Sequence, residues 1–117
     1  MSIPQIIIKN LISNKEFVKR VLPFIKEEYF EDRSERTIFR HTKEYITKYG
    51  DTPKVEALYI EMSNDSSIVE DVFESIDNKM KGIQERDDTP KLEWLIDTSE
   101  NFCKERALYN AIYDSGS

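Results

Sequence analysis

Between Asp32 and Gly50 the chain places Ile38, Phe39, Thr42, Tyr45, Ile46 and Tyr49 at intervals of three and four residues, a spacing that only an α-helix gathers onto one face. Asp32 with Glu35 has the form of a capping box, in which each side chain satisfies a backbone donor at the helix start, and Gly50 is suited to the left-handed turn that ends a helix. The spacing predicts a helix over residues 33 to 49. No stretch competes with it as a strand, because period-two alternation and Asn-Gly or Asp-Gly turns are absent from the sequence. With three glycines and four prolines in 117 residues, breakers are too few for a loop-rich fold. The expected class is all-α.

The same reading along the chain predicts five to six helices. Ile3, Ile6, Ile7 and Leu11 follow helical spacing around Pro4, which is tolerated in a first turn, so a short helix is expected over residues 4 to 12. Ser13 and Glu16 form another capping-box pattern before Phe17, Val21 and Leu22; Pro23 should end that helix and bias Leu22 away from helical angles. Residues 24 to 30 read as a connector with a turn or two whose Phe24, Ile25, Tyr29 and Phe30 pack under the core. Thr52 and Pro53 have the form of a cap and first helical position, leading Val55, Leu58, Tyr59 and Met62. After a polar loop over 63 to 67, Ile68, Val69, Val72, Phe73, Ile76 and Met80 mark a helix ending near Gly82. A charged loop over 85 to 88 and a Thr89-Pro90 start introduce the last helix, about 24 residues and ~36 Å long. These signals divide the chain into a bundle over 1–90, a long helix over 91–114, and a tail over 115–117 that is native or a cloning remnant. So long a final helix is expected to run past the small core and seek a partner.

A chain of 117 residues fits one domain that buries roughly two-thirds of its unfolded surface. The longest apolar run, Ile6-Ile7-Ile8, is far short of the ~18 residues that a membrane helix requires. No basic leader with a small-residue cleavage site opens the chain, and the single cysteine, Cys103, cannot form an intrachain disulfide. A reducing, cytoplasmic setting is the expectation. Seventeen Lys and Arg against 23 Asp and Glu give a net charge of −6, which repels phosphate backbones at long range. Direct nucleic-acid binding is not expected.

Residues able to carry catalysis are sparse. The glycines, at 50, 82 and 116, are too far apart for a phosphate-binding loop, and one histidine with one cysteine cannot furnish a zinc centre or a nucleophile–base pair. His41 reads as a partly exposed helix histidine beside Glu44 and Tyr45, and Cys103 as a small buried hydrophobe. The acidic pairs, such as Glu27-Glu28 and Asp87-Asp88, suit caps and solvated faces in so acidic a chain. Six tyrosines and six phenylalanines fall mostly on helical stripes, as core packing requires. Trp94, near the start of the last helix, reads either as a core plug or as an interface anchor.

Several segments in order carry a resemblance. Glu28-Tyr29-Phe30-Glu31, the helix with Ile38-Phe39, the link Tyr49-Gly50-Asp51-Thr52-Pro53, Val55-Glu56-Ala57-Leu58, and finally Arg106-Ala107-Leu108-Tyr109-Asn110-Ala111 together resemble the N-terminal domain of DnaB-like replicative helicases, the tailed-phage branch in particular. The similarity extends over roughly residues 5 to 113. It implies a helical bundle followed by a helical hairpin, of which the last helix here is the first half. In ring hexamers of that family such domains form a collar that pairs subunits and binds primase and helicase loader. The same resemblance places ATP, Mg and strand translocation in a RecA-like motor domain beyond residue 117. No cofactor and no ATPase or unwinding activity are then expected of this chain, and its setting would be the cytoplasm of an infected bacterial host.

The residues expected to bind partners are Trp94, Phe102, Arg106, Leu108, Tyr109 and Ile112, with ordinary core packing as the alternative for each. A free-standing acidic adaptor, for instance a nucleic-acid mimic, is the second functional reading. It requires carboxylates concentrated on one face, whereas the sequence scatters them. A small enzyme is the third, and no nucleophile, base and orienting group can be assembled for it.

Overall fold

A computed structural model describes residues 2–85 and 90–115. Among them are six α-helices and no strand: α1 (Ile3–Ser13), α2 (Lys15–Val21), α3 (Arg33–Tyr49), α4 (Val55–Ser63), α5 (Glu70–Gln84) and α6 (Leu92–Ser115). Two single 3₁₀ turns, Leu22–Phe24 and Glu27–Tyr29, connect α2 to α3. The all-α expectation holds, and α3 begins and ends where its spacing predicts. Asp32 Oδ1 accepts from the amides of Ser34 and Glu35 at 2.8 and 3.0 Å, and Gly50 takes φ +71° to close the helix. Glu35 does not complete the box. It turns inward, only 6% exposed, to Lys79 of α5, which also pairs with Asp32. Burial raises the Glu35 pKa, and the Lys79 ammonium opposes that shift.

Several local expectations are corrected by the structure. The cap of α2 is Asn14, whose side chain accepts from the Phe17 amide; Ser13 still belongs to α1 and donates its hydroxyl back to the Lys9 carbonyl. Leu22 keeps helical angles, φ −52° and ψ −40°, because Pro23 starts a 3₁₀ turn there and Leu22 is anchored in the core. Thr52 does not cap α4, which begins at Val55 behind Lys54, while Asp51 Oδ1 takes the Thr52 amide and Pro53 is buried. Gly82 lies inside α5, where the buried Ile83 and Met80 keep the helix going to Gln84. Phe24 is 61% exposed, although Ile25, Tyr29 and Phe30 are buried as expected. The Thr89 cap, most of the charged loop and the tail from Gly116 lie outside the described residues.

Two central helices organise the packing. α1 touches α2, α3, α5 and α6, and its Ile7, Ile8 and Leu11 are sealed between these layers. α3 packs on α1, α4, α5 and the connector; α6 packs on α1, α2 and the connector. Phe30 joins the two halves. Its ring stacks on Phe39 of α3 at 4.9 Å and meets Phe102 of α6 at 5.9 Å, so the connector is fastened to both helices by one buried aromatic.

Candidate functional site

α6 carries apolar side chains on two sides. Leu95, Ser99 and Cys103 are buried, with Leu92, Ile96, Phe102 and Ala107 partly buried against the core. At 3.6 residues per turn, Trp94, Leu108 and Ile112 share a strip on the side opposite Cys103, and they are 48%, 63% and 63% exposed. Tyr109 and Tyr113 form the adjoining row, 52% and 69% exposed, their rings stacked at 6.1 Å. Trp94 stands roughly 27 Å along the helix from Ile112. It shares the azimuth of the distal residues but not their neighbourhood. The helix remains fastened to the connector as far as Asn110, whose side chain donates to the Glu28 carbonyl. Up to Asn110, therefore, what α6 offers a partner is its outward side.

The distal half of α6 is held by a polar clamp that joins two segments of the resemblance. Arg106 donates Nε–H to the Tyr29 carbonyl at 3.1 Å and pairs through Nη1 with Glu31 at 2.7 Å. One turn on, Asn110 donates to the Glu28 carbonyl at 3.1 Å. From the other side Arg36 of α3 donates twice to the Phe30 carbonyl, at 3.1 and 3.0 Å, and once to that of Glu31 at 3.4 Å. The four carbonyls from Glu28 to Glu31, which no regular ladder serves, are thus all satisfied by side chains. The Arg106 guanidinium also lies 4.6 Å over the Tyr109 ring, which fixes that ring at the surface.

Of the six residues expected to bind partners, Phe102 and Arg106 are therefore committed within the chain, while Trp94, Leu108, Tyr109 and Ile112 face outward. On the other flank of α6, an apolar cavity of about 290 Å³ is lined by Phe24, Tyr29, Cys103, Ala107 and the stems of Glu100 and Lys104. Sequence reasoning missed Phe24, since no local signal distinguishes a connector phenylalanine that points out from one that points in. It also missed the clamp. The only local hint was the four-residue interval between Arg106 and Asn110, which places both on one side of α6.

The titratable groups of interest are held in structural roles. His41 is 8% exposed, not partly exposed as its spacing suggests, because its Nε2 lies 2.8 Å from Oδ2 of Asp65 in the α4–α5 loop. Asp65 also accepts from the Ser67 hydroxyl and amide, and these bonds, with His41, hold its carboxyl well below the usual range. Asp65 stands between Ser67 and His41, so the imidazole is not placed to take the serine proton as a triad requires. Burial, with Glu100 nearby, pushes the Cys103 thiol up to about 11, which leaves it protonated at neutral pH. No group of three or more His, Cys, Asp or Glu among the described residues is placed to hold a metal ion. No helix among them is long and apolar enough to cross a membrane.

Fold and face together define a small helical domain built along one long helix with apolar residues on two sides. Among curated proteins, the chain is similar to the DnaB-like replicative helicase of Enterobacteria phage T4, 28% identical over 108 residues. That match takes in 92% of this chain and 22% of the phage protein, so the chain spans about a fifth of its relative's length. The relationship to a DnaB-like helicase is distant. No family model and no solved structure matches the chain.

Proposed function

We propose that this chain is the N-terminal collar domain of a hexameric, phage-type replicative helicase, acting in DNA replication by pairing subunits and by binding primase or a helicase loader. The observation that carries the reading is the match itself: it takes in nearly all of this chain but only 22% of the helicase it resembles. A part of that size suits an assembly domain beside a separate motor. The second apolar side of α6 supports the same reading, because a helix with apolar residues on opposite sides is suited to packing between two layers, and the bundle supplies one. In this reading α6 is the first half of a helical hairpin, and its outward strip receives the second half or a neighbouring subunit. ATP, Mg and translocation belong to a motor domain of the parent protein, and the chain itself turns over no nucleotide. The acidic-mimic alternative has less support, since α3 carries Arg33, Arg36, Arg40, Lys43 and Lys48 against two carboxylates, one of which, Glu35, is buried.

The test is binding of the purified chain to the primase and loader of the same phage, with mass by light scattering. Wild type should bind at least one of them or associate with itself, and Leu108→Lys with Ile112→Lys should abolish that contact while leaving the helical spectrum unchanged. A wild-type chain that stays monomeric and binds neither protein would refute the reading. Extending the source reading frame gives a second test, in which Gly-x-x-x-x-Gly-Lys-Ser/Thr after a strand is expected.

A further inference from the structure

In a chain of net charge −6, α3 carries five of the 17 Lys and Arg: Arg33, Arg36, Arg40, Lys43 and Lys48. Its two carboxylates do not balance them, because Glu35 is turned into the core and paired with Lys79, leaving only Glu44 on the surface. The intervals between Arg33, Arg36, Arg40 and Lys43 are three, four and three, which aligns them along one side of the helix. Three acids from other elements border this row: Glu27 and Asp65 pair with Arg40, at 3.5 and 3.4 Å, and Glu28 lies beside Arg36 without an ion pair to it. Arg36 bonds only backbone carbonyls, and Arg33 and Lys43 have no side-chain partner among the described residues. Three cations therefore stand without a carboxylate on one flank of an acidic protein.

That flank is grooved. A cavity of about 290 Å³ lies between Arg33, Arg36 and Arg40 on one wall and Ser67, Ile68 and Val72 on the other. A second cavity, about 410 Å³, continues past Arg40 to Lys43 above Phe39. Glu27 and Arg40 border both. A basic wall facing half-buried aliphatic side chains fits a ligand that offers carboxylates and apolar groups in alternation. We propose that the α3 flank is a docking groove for an acidic peptide segment of a partner protein, with Arg33 and Lys43 as its carboxylate-binding side chains and Arg36, held by the Phe30 carbonyl, as a fixed charge on its wall. A nucleic-acid strand fits less well: its backbone has nothing to set against Ile68 and Val72, and the acidic remainder of the chain repels a long polyanion. A short peptide meets only the local charge. This groove lies on a different helix from the outward strip of α6 and does not depend on the helicase reading.

The experiment is an amide chemical-shift titration of the full chain with the peptide Asp-Leu-Asp-Asp-Leu-Asp, its lysine counterpart and a twenty-nucleotide oligothymidine. The acidic peptide should shift resonances within residues 33–47 and 65–72, with affinity falling several-fold from 50 to 200 mM salt. Arg33→Glu with Lys43→Glu should weaken it about tenfold or more. Both side chains are exposed and without partners, so the fold should survive, and the unshifted remainder of the spectrum reports that directly. Absence of binding, retention of binding by the double variant, or equal or tighter binding of oligothymidine at these residues would each overturn the proposal.

Discussion

Replacing Arg106 by alanine should destabilise the chain by about 2–3 kcal/mol, and the structure shows where that figure arises. The guanidinium bond to the Tyr29 carbonyl is partly buried, and a charged hydrogen bond of this kind contributes roughly 1.5–3 kcal/mol net. The pair with Glu31 adds little, about 0.2–1 kcal/mol, because the Glu31 side chain is 68% exposed. Contact with the Tyr109 ring, at the surface, adds roughly 0.5–1 kcal/mol. These contributions share one side chain and do not sum fully, which sets the lower end of the range. For a chain of this size the loss corresponds to roughly 8–12 °C in Tm. Urea unfolding at constant m provides the assay. Arg106→Lys should recover less than half, since an ammonium lacks the planar fork that meets a carbonyl and a carboxylate together. Glu31→Ala should cost no more than about 1 kcal/mol. If Arg106→Ala lay within about 0.5 kcal/mol of wild type, or if Glu31→Ala cost as much, the clamp would not be what holds α6 to the connector.

Three further outcomes are expected. Asp65→Asn should lower Tm at pH 7, and the deficit should narrow as the pH falls below 3.8: a carboxyl whose folded pKa is depressed stabilises above its unfolded value and loses that contribution as it protonates. A melting series from pH 7 to 3 on both proteins checks the sign. Gly50→Ala and Gly82→Ala should have opposite effects: the first costs about 1 kcal/mol because Gly50 sits at φ +71°, and the second gains about 1 kcal/mol inside α5, where an added methyl meets nothing within 4 Å. Cys103 should react slowly with a thiol reagent at pH 8 and accelerate toward its pKa of about 11, as absorbance kinetics in the native and urea-unfolded states would show.

The elements differ in how legible they were. α3 was readable from end to end because its stripe, its Asp32 cap and its closing Gly50 all lie within the reach of local rules. α2 was displaced by one residue at its cap, since Ser13 and Asn14 are both good caps and the choice fell to Asn14, whose side chain was not already bonded within α1. The Thr52-Pro53 pattern failed because Pro53 is buried in the link and Lys54, at φ −80° and ψ 150°, is still extended, so that α4 begins only at Val55. At the candidate site, Leu108, Tyr109 and Ile112 are exposed on the outward side of a helix that stays clamped to the connector as far as Asn110, which helical spacing alone does not distinguish from a projecting end. Phe102 and Arg106 followed the same spacing yet turned to Phe30 and the Tyr29 carbonyl.

What the sequence by itself determined is the helical class, the position of α3, and a long last helix with apolar residues to spare. Each of these depends on groups three or four residues apart, where periodicity and capping act directly. Tertiary structure alone decided that His41 meets Asp65, that Phe24 points outward, and that Arg106 and Asn110 fasten α6 to carbonyls 77 and 82 residues away. Those pairings are set by which surfaces the packed helices bring within hydrogen-bond distance, and no local spacing encodes that.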